Sequence, residues 1–152
     1  MKLLWFGEAW LNFAWVDFRI SVTPYARWKN YFLAAGQPAF NLRTARNVPN
    51  INRVRQIIRS CELAKKYHWR DMNCLRRCFV QQQMLQRRNI NSQLHIGVKK
   101  QRGQLAAHAW LSHQGQIIND SQAVIASYAE LHAPAWNGMA QCMGPTEAIE
   151  QP

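Results

Sequence analysis

The sequence has no Cys-x-x-Cys pair, no glycine-rich phosphate-binding loop and no internal repeat. These absences argue against a zinc ribbon, a P-loop nucleotide-binding domain and a repeat solenoid. Acidic residues are also few, with 8 Asp and Glu against 19 Lys and Arg in 152 residues, and the net charge is +11. A chain this basic has nucleic acid, an anionic membrane surface or an acidic protein as candidate partners.

A continuous apolar run long enough to cross a membrane is missing as well. The first 18 residues are apolar, but Glu8, Asn12 and Asp17 interrupt them, and no small-residue cleavage site follows. We therefore expect no secretory signal, no transmembrane span and a cytoplasmic location. In that reducing compartment the cysteines are expected to be free thiols. The cysteines are Cys61, Cys74, Cys78 and Cys142.

Apolar residues make up 48% of the chain and charged residues only 18%, which excludes a disordered chain. The positive charge is concentrated in residues 43–102, which carry 15 of the Lys and Arg and only two acids. Residues 103–152 carry four acids and no Lys or Arg. Because apolar residues are interleaved with the bases, we expect one folded domain with an asymmetric surface rather than a basic tail.

The first half of the chain has the apolar spacing of helices. The spacing predicts helices over 3–18, 25–35, 51–67 and 74–88, with a loop over 36–50. The proposed packing face of the first helix consists of Leu3, Phe6, Trp10, Phe13 and Ala14. An alternative for this tryptophan-rich helix is a surface that contacts a partner or a membrane.

The apolar period changes to two after residue 92, which indicates strands. Strands are predicted over 93–99, 105–112 and 116–120, with a tight turn at 113–115. Residues 123–131 are predicted to be helical. Helices followed by an antiparallel sheet make the predicted fold class α+β.

Three residues are candidates for nucleophilic catalysis. Cys74 starts a predicted helix that Asn73 can cap, and the free amides and dipole of a helix start favour a thiolate. His108 lies six residues before Gln114 and Asp120 six residues after it, so a hairpin centred there places them opposite one another. If the Cys74 helix packs on that face, thiol, imidazole and carboxylate form an activated-thiol site.

Two other interpretations of these residues remain open. A single Cys and a single strand His are commonly ordinary core or surface residues. Cys74, Cys78, His108 and His113 are also zinc-ligand types, with the two cysteines one helical turn apart. Against zinc, His108 and His113 differ by five positions on a strand and turn, so they are expected to face opposite sides.

The motifs around these residues resemble those of a known family. They are Asn73-Cys74-Leu75, His95-Ile96-Gly97-Val98-Lys99-Lys100, His108-Ala109-Trp110-Leu111 and Gly115-Gln116-Ile117-Ile118-Asn119-Asp120. Their order and spacing resemble the B-type leader peptidases of lasso-peptide biosynthesis, which have a transglutaminase-like, papain-like core. The resemblance covers most of the chain and is strongest over 73–120.

The resemblance implies a cytosolic cysteine peptidase of the stand-alone form. Cys74 would be the nucleophile, His108 the base and then acid, and Asp120 the residue that orients the imidazole. Two positions depart from the family pattern: Cys78 stands where relatives often have Ser, and Ser112 where an acidic residue is common. The domain would span 1–152, with a helical subregion over 1–60, the catalytic core over 61–125 and a tail over 126–152.

The resemblance also implies a place in a maturation system. The peptidase would remove the leader from a ribosomally made lasso-peptide precursor, delivered by a separate leader-recognition protein. An ATP-dependent cyclase similar to asparagine synthetase would then close the macrolactam ring. We expect no cofactor, no metal and no nucleic-acid partner. The alternatives are a transglutaminase-like acyltransferase on the same core and a basic nucleic-acid-binding module.

Overall fold

The protein is described by a computed structural model that covers residues 2–24, 27 and 51–131. Apart from residue 27, the predicted helix over 25–35 lies outside the described residues, as do the loop over 36–50, Cys142 and most of the predicted tail. Helices come first in the described part, as α1 Lys2–Val22, α2 Ile51–Lys66 and α3 Cys74–Gln86. The remaining elements are β1 Gln93–Gln101, β2 Gln104–His113, β3 Gln116–Ile117, α4 Gln122–Ile125 and β4 Ala129–Glu130. The predicted α+β class is confirmed.

The long helices follow the predicted spacing, with one correction in α1. Val54, Ile57 and Cys61 of α2 are fully buried, and their spacing of three and four residues places them on one face of the helix. In α1, Phe13 is fully buried, but Leu3 is 84% exposed, so the predicted packing face is wrong at its first residue. No helix in the described ranges combines the length and the apolarity that crossing a bilayer requires.

The four strands form an antiparallel sheet in the order β3-β2-β1-β4. β1 and β2 pair over their whole length and are joined by Arg102 and Gly103, both at positive φ. Gln114 and Gly115, also at positive φ, join β2 to β3. Two positive-φ residues are typical of the two-residue hairpin turns that match the twist of a sheet. The meander predicted from the alternating pattern is therefore confirmed.

The register of the β2–β3 hairpin differs from the predicted one. Ser112 pairs with Ile117, so the hairpin is centred between Gln114 and Gly115, and β3 ends at Ile117. His108 therefore does not lie opposite Asp120 in a ladder, and its partner is Gly97 of β1. The prediction assumed a three-residue turn, and the two-residue turn shifts the register by one residue.

The segment after Asp120 is only partly the predicted helix. Ser121 caps α4, which ends at Ile125, and Ala129–Glu130 then pairs with β1 as a fourth strand. The Leu131 amide continues this contact by donating to the Ile96 carbonyl at 2.7 Å. Pairing satisfies backbone groups on the free edge of β1, and this tertiary gain outweighs the weak helical pattern of 126–131.

The core lies between the helices and one face of the sheet. Ile96, Ala109 and Leu111 belong to the buried cluster that also contains the inward side chains of α1, α2 and α3. His108 and Trp110 alternate with these residues and so belong to the other face. The body of α3 packs on the face opposite His108, and its contact with the His108 side of the sheet is the bond from Arg77, in its first turn, to Asp120.

Candidate active site

Cys74 is the first residue of α3 and is partly buried. The Asn73 side chain caps the helix by accepting the Arg76 amide at 3.0 Å, as the sequence predicts. The amides of Cys74 and Leu75 belong to the first turn, where no carbonyl of the helix can accept them. Cys74 is therefore at the positive end of the helix, among N–H groups that lack a carbonyl partner within the helix.

His108 and Asp120 are in direct contact, with 2.7 Å between Nε2 and Oδ2. The contact arises where the chain leaves the β2–β3 ladder. The Ile118 amide still donates to the Leu111 carbonyl at 3.0 Å, but the Leu111 amide donates to the Asn119 side chain at 2.8 Å. Asn119 thus replaces a backbone partner, and the resulting bend brings Asp120 to the imidazole. The predicted contact is present, although the predicted ladder is wrong.

Asp120 accepts hydrogen bonds from three groups. Its Oδ2 accepts from His108 and from Arg77 Nη2 at 3.1 Å, and its Oδ1 accepts from the Ser121 amide at 2.9 Å. Burial alone would raise the pKa of Asp120, but the hydrogen bonds from His108, Ser121 and Arg77 outweigh it and lower that pKa below its ordinary value. The carboxylate is therefore ionised at neutral pH and can hold a protonated imidazole.

Arg77 connects the Asp120 carboxylate to the helix that begins at Cys74. Its side chain is only 13% exposed and also lies 3.8 Å from Glu62 of α2. Residues three apart on a helix are surface neighbours, so Cys74 and Arg77 share one side of α3. Sequence analysis missed this residue. Its contact with Asp120 joins residues 43 positions apart, so no local spacing in the sequence indicates it.

Asn119 is a second residue that sequence analysis missed. Its amide nitrogen donates to Gln81 Oε1 at 2.7 Å and to the Cys78 sulfur at 3.3 Å, and Gln81 in turn donates to Glu62 at 2.7 Å. Gln81 is fully buried, so this polar chain ties the bend before Asp120 to α3 and α2.

The three candidate residues are brought together to different degrees. His108 and Asp120 are hydrogen-bonded, whereas no hydrogen bond between described residues joins the Cys74 thiol to the imidazole. In a neutral His108 whose Nε2–H donates to Asp120, Nδ1 carries the lone pair. That nitrogen is then the proton acceptor for a thiol and the proton donor for a leaving amine.

The other described cysteines are unsuited to nucleophilic attack. Burial raises the pKa of the Cys78 thiol to about 12, although Asn119 and Arg77 oppose the shift. Burial also raises the pKa of Cys61 well above its ordinary range. Both thiols are therefore protonated at neutral pH and inaccessible, and Cys74 is the partly accessible one.

Aromatic side chains flank His108 on the sheet. Its ring centroid lies 6.3 Å from that of Trp110 and 5.2 Å from that of Tyr128. Gly97, the cross-strand partner of His108, makes room for both, since a Cβ there would lie 2.8 Å from Tyr128 Cβ and 2.9 Å from Trp110 Cη2. The absence of a side chain at Gly97 is therefore a steric requirement of this wall.

The zinc alternative finds little support in the histidine contacts. Nδ1 of His113 lies 2.5 Å from the Asn91 carbonyl, while His108 contacts Asp120. Within 2–24, 27 and 51–131, no three His, Cys, Asp or Glu side chains are grouped as metal ligands.

Many arginines of the basic segment are engaged with the few carboxylates. Arg70 and Arg76 contact Asp17 at 3.0 and 3.3 Å, and Arg87 and Arg88 contact Glu8. The exposed cations of α2 are Arg53, Arg55, Arg59 and Lys66. A polar groove of about 420 Å³ lies at the end of α2, lined by Glu62, Lys65, Lys66, His68, Trp69, Arg70 and Asp71.

Comparison with known proteins gives one match. No curated protein and no solved structure matches the chain significantly. The profile of one family, described as the transglutaminase-like superfamily, matches residues 16–133. This superfamily includes cysteine peptidases and acyltransferases, and the match spans Cys74, His108 and Asp120. The chain therefore belongs to the transglutaminase-like superfamily.

Proposed function

We propose that the protein is a cysteine peptidase that removes the leader from a lasso-peptide precursor before a partner cyclase closes the macrolactam ring. The observation that carries the catalytic part is the 2.7 Å contact between His108 Nε2 and Asp120. This contact leaves Nδ1 for proton transfer, on a core whose helix α3 begins at Cys74. The motif resemblance over 73–120 supports a lasso-peptide precursor as the substrate, and membership of the superfamily supports a reaction that depends on a cysteine.

The proposed reaction has two halves. Cys74 attacks the scissile carbonyl while His108 takes the thiol proton, and the Cys74 amide donates to the developing oxyanion. His108 then protonates the leaving amine, which frees the first amine of the core peptide and leaves the leader as a thioester. Water, deprotonated by His108, hydrolyses the thioester and regenerates the thiol. Asp120 orients the imidazole throughout and stabilises its protonated form.

The test follows precursor cleavage by mass spectrometry. The assay contains the full chain, a lasso-peptide precursor and a leader-recognition protein. We expect Cys74→Ala to abolish cleavage. Cys78→Ala is the matched control, since it makes the same change one helical turn further along α3, and we expect it to retain cleavage. Normal cleavage by Cys74→Ala would refute the assignment of the nucleophile.

The same assay separates hydrolysis from acyl transfer. The two reactions share the thioester and differ in whether water or an amine attacks it. With a primary amine added in excess, a peptidase releases mainly the free leader carboxylate. If the dominant product is instead the leader joined to the added amine, the acyltransferase alternative is favoured, and the superfamily also includes acyltransferases.

The basic surface is proposed to serve peptide delivery. The exposed cations of α2 suit an acidic leader or partner protein, whose approach they would accelerate in a salt-dependent way. Excess single-stranded RNA or duplex DNA is expected to inhibit cleavage little at moderate ionic strength. Tight, sequence-selective nucleic-acid binding near physiological salt would instead favour the binding-module alternative.

A further inference from the structure

A second histidine–carboxylate pair lies on the same sheet face as His108. Nδ1 of His95 is 2.5 Å from Glu130 Oε1, and its Nε2 is 2.7 Å from the Ser112 hydroxyl. If Nδ1–H donates to Glu130, Nε2 accepts from Ser112, so both ring nitrogens are satisfied and the ring orientation is defined. Ser112 is only 7% exposed, and we therefore assign its hydroxyl to holding His95 rather than to attack on a substrate.

His95 is linked to His108 through the indole of Trp110. The His95 and Trp110 rings are stacked, with planes 6° apart and centroids separated by 5.7 Å. Trp110 in turn stacks on His108 at an interplanar angle of 25°. The indole is 3% exposed, so a change in the His95 ring is transmitted to a tightly packed neighbour of the candidate base.

His95 is also linked to the other flank of His108. Glu130 belongs to β4 and follows two residues after Tyr128, whose ring lies 5.2 Å from the His108 ring. β4 pairs with β1 through Ala129 and Glu130, and the Leu131 amide adds one bond to the Ile96 carbonyl. The bond between His95 and Glu130 therefore adds a side-chain attachment to a very short strand that positions Tyr128.

We propose that His95, held by Glu130 and Ser112, is a positioning residue for His108. It fixes Trp110 by stacking and Tyr128 through β4, so the imidazole is clamped on both flanks while its Nε2 is held by Asp120. Proton transfer requires the imidazole to point correctly, and small misplacements are costly in rate. This role rests on the proposed peptidase function.

The kinetic test uses Glu130, because its side chain is 45% exposed and lies outside the buried core. Glu130→Ala is expected to lower kcat roughly tenfold with KM within about twofold, because the defect concerns the base and not peptide binding. Glu130→Gln keeps an acceptor for His95 and is expected to restore most of kcat. Glu8→Ala is the matched control, since it removes a carboxylate that pairs with helix arginines instead.

A spectroscopic test needs no substrate. In protein labelled with 15N-histidine, the His108 ring signals are assigned by their loss in His108→Gln. We expect the parent to show the Nε2-protonated tautomer, and Glu130→Ala to show averaged, broadened His108 signals. A Glu130→Ala protein with unchanged His108 signals and unchanged kcat would overturn the inference, whatever its melting temperature. If Glu130→Ala changes the His108 signals but the parent protein cleaves no precursor, this inference is supported and the proposed function is overturned.

Discussion

Two histidine–carboxylate pairs on one sheet face differ in what surrounds them. In the first pair, Asp120 is 14% exposed and is also held by Arg77, whereas in the second pair Glu130 is 45% exposed. Both ring nitrogens of His95 have partners. Within the described residues, His108 is hydrogen-bonded through Nε2 only.

The difference indicates which pair can do chemistry. A histidine with both nitrogens engaged is a fixed structural link, while one with a remaining nitrogen can exchange a proton. The carboxylate of Asp120, which is largely buried and paired with Arg77, stays ionised and stabilises a charged imidazole. A solvent-exposed carboxylate such as that of Glu130 stabilises a charged imidazole less. We therefore propose that the His108 pair is catalytic and that the His95 pair positions it.

Asp120→Asn is expected to have the largest effect. The amide still fits beside His108, but it donates as readily as it accepts, and the wrong imidazole tautomer is then favoured. We expect kcat to fall by roughly 10³- to 10⁴-fold with the circular dichroism spectrum unchanged. The matched change in the other pair, Glu130→Gln, is expected to retain most activity. A rate for Asp120→Asn within threefold of the parent would remove Asp120 from the mechanism.

Arg77→Met is expected to have the next largest effect, because only the Asp120 pair depends on this arginine. The variant leaves a largely buried carboxylate without its cation, and we expect a loss of roughly 1–3 kcal/mol in the free energy of unfolding. We expect kcat to fall roughly ten- to hundredfold as Asp120 shifts. Arg77→Lys should recover part of both. Urea denaturation and the cleavage assay measure these effects.

The adjacent residue provides a control for Arg77. Arg76 lies on the same turn of α3 and pairs with Asp17 of α1 at 3.3 Å. Arg76→Met therefore removes a comparable ion pair that does not involve Asp120. If Arg76→Met lowers kcat as much as Arg77→Met, the effect of Arg77 is a general loss of stability and not a property of the site.

Gly97→Ala is expected to disturb both pairs at once. Gly97 is opposite His108 in β2 and opposite Glu130 in β4, and its new Cβ would overlap Tyr128 and Trp110. We expect a loss of roughly 1–3 kcal/mol in stability, the usual cost of overpacking, together with a several-fold lower kcat. Gly7→Ala in α1 is the control, since its Cβ meets nothing within 4 Å. That variant should gain about 0.5–1 kcal/mol.

The features predictable from sequence were the local ones. The Asn73 cap and the buried spacing of α2 depend on neighbouring residues, and both are confirmed. The contact between His108 and Asp120 was predicted through a wrong register, because a turn of two residues and one of three residues look alike in this sequence. The roles of Cys74, His108 and Asp120 in catalysis stay predictions.

Other features depend on tertiary pairing that no local pattern encodes. β4 is two residues long, and its partner β1 lies about 30 residues earlier in the chain. In the sequence, Arg77 cannot be distinguished from the solvent-facing bases of the basic segment. Its contact with Asp120 depends on the bend at Asn119. The His95–Glu130 pair depends on β4 in the same way.

The pH dependence of stability should show the smallest effect, and it tests the electrostatic side of the comparison. Hydrogen bonds from His108, Ser121 and Arg77 lower the pKa of Asp120 in the folded state, against the opposing effect of burial. A carboxyl with a lowered folded-state pKa adds stability above its unfolded pKa of about 3.9, and that contribution is lost as the pH falls through the folded value. The stability difference between the parent and Asp120→Asn should therefore be present near neutral pH and shrink as the pH falls below about 4. Urea denaturation of both proteins across this range measures the difference. A difference that stays constant would show that the Asp120 charge does not contribute to holding His108 and Arg77 in place.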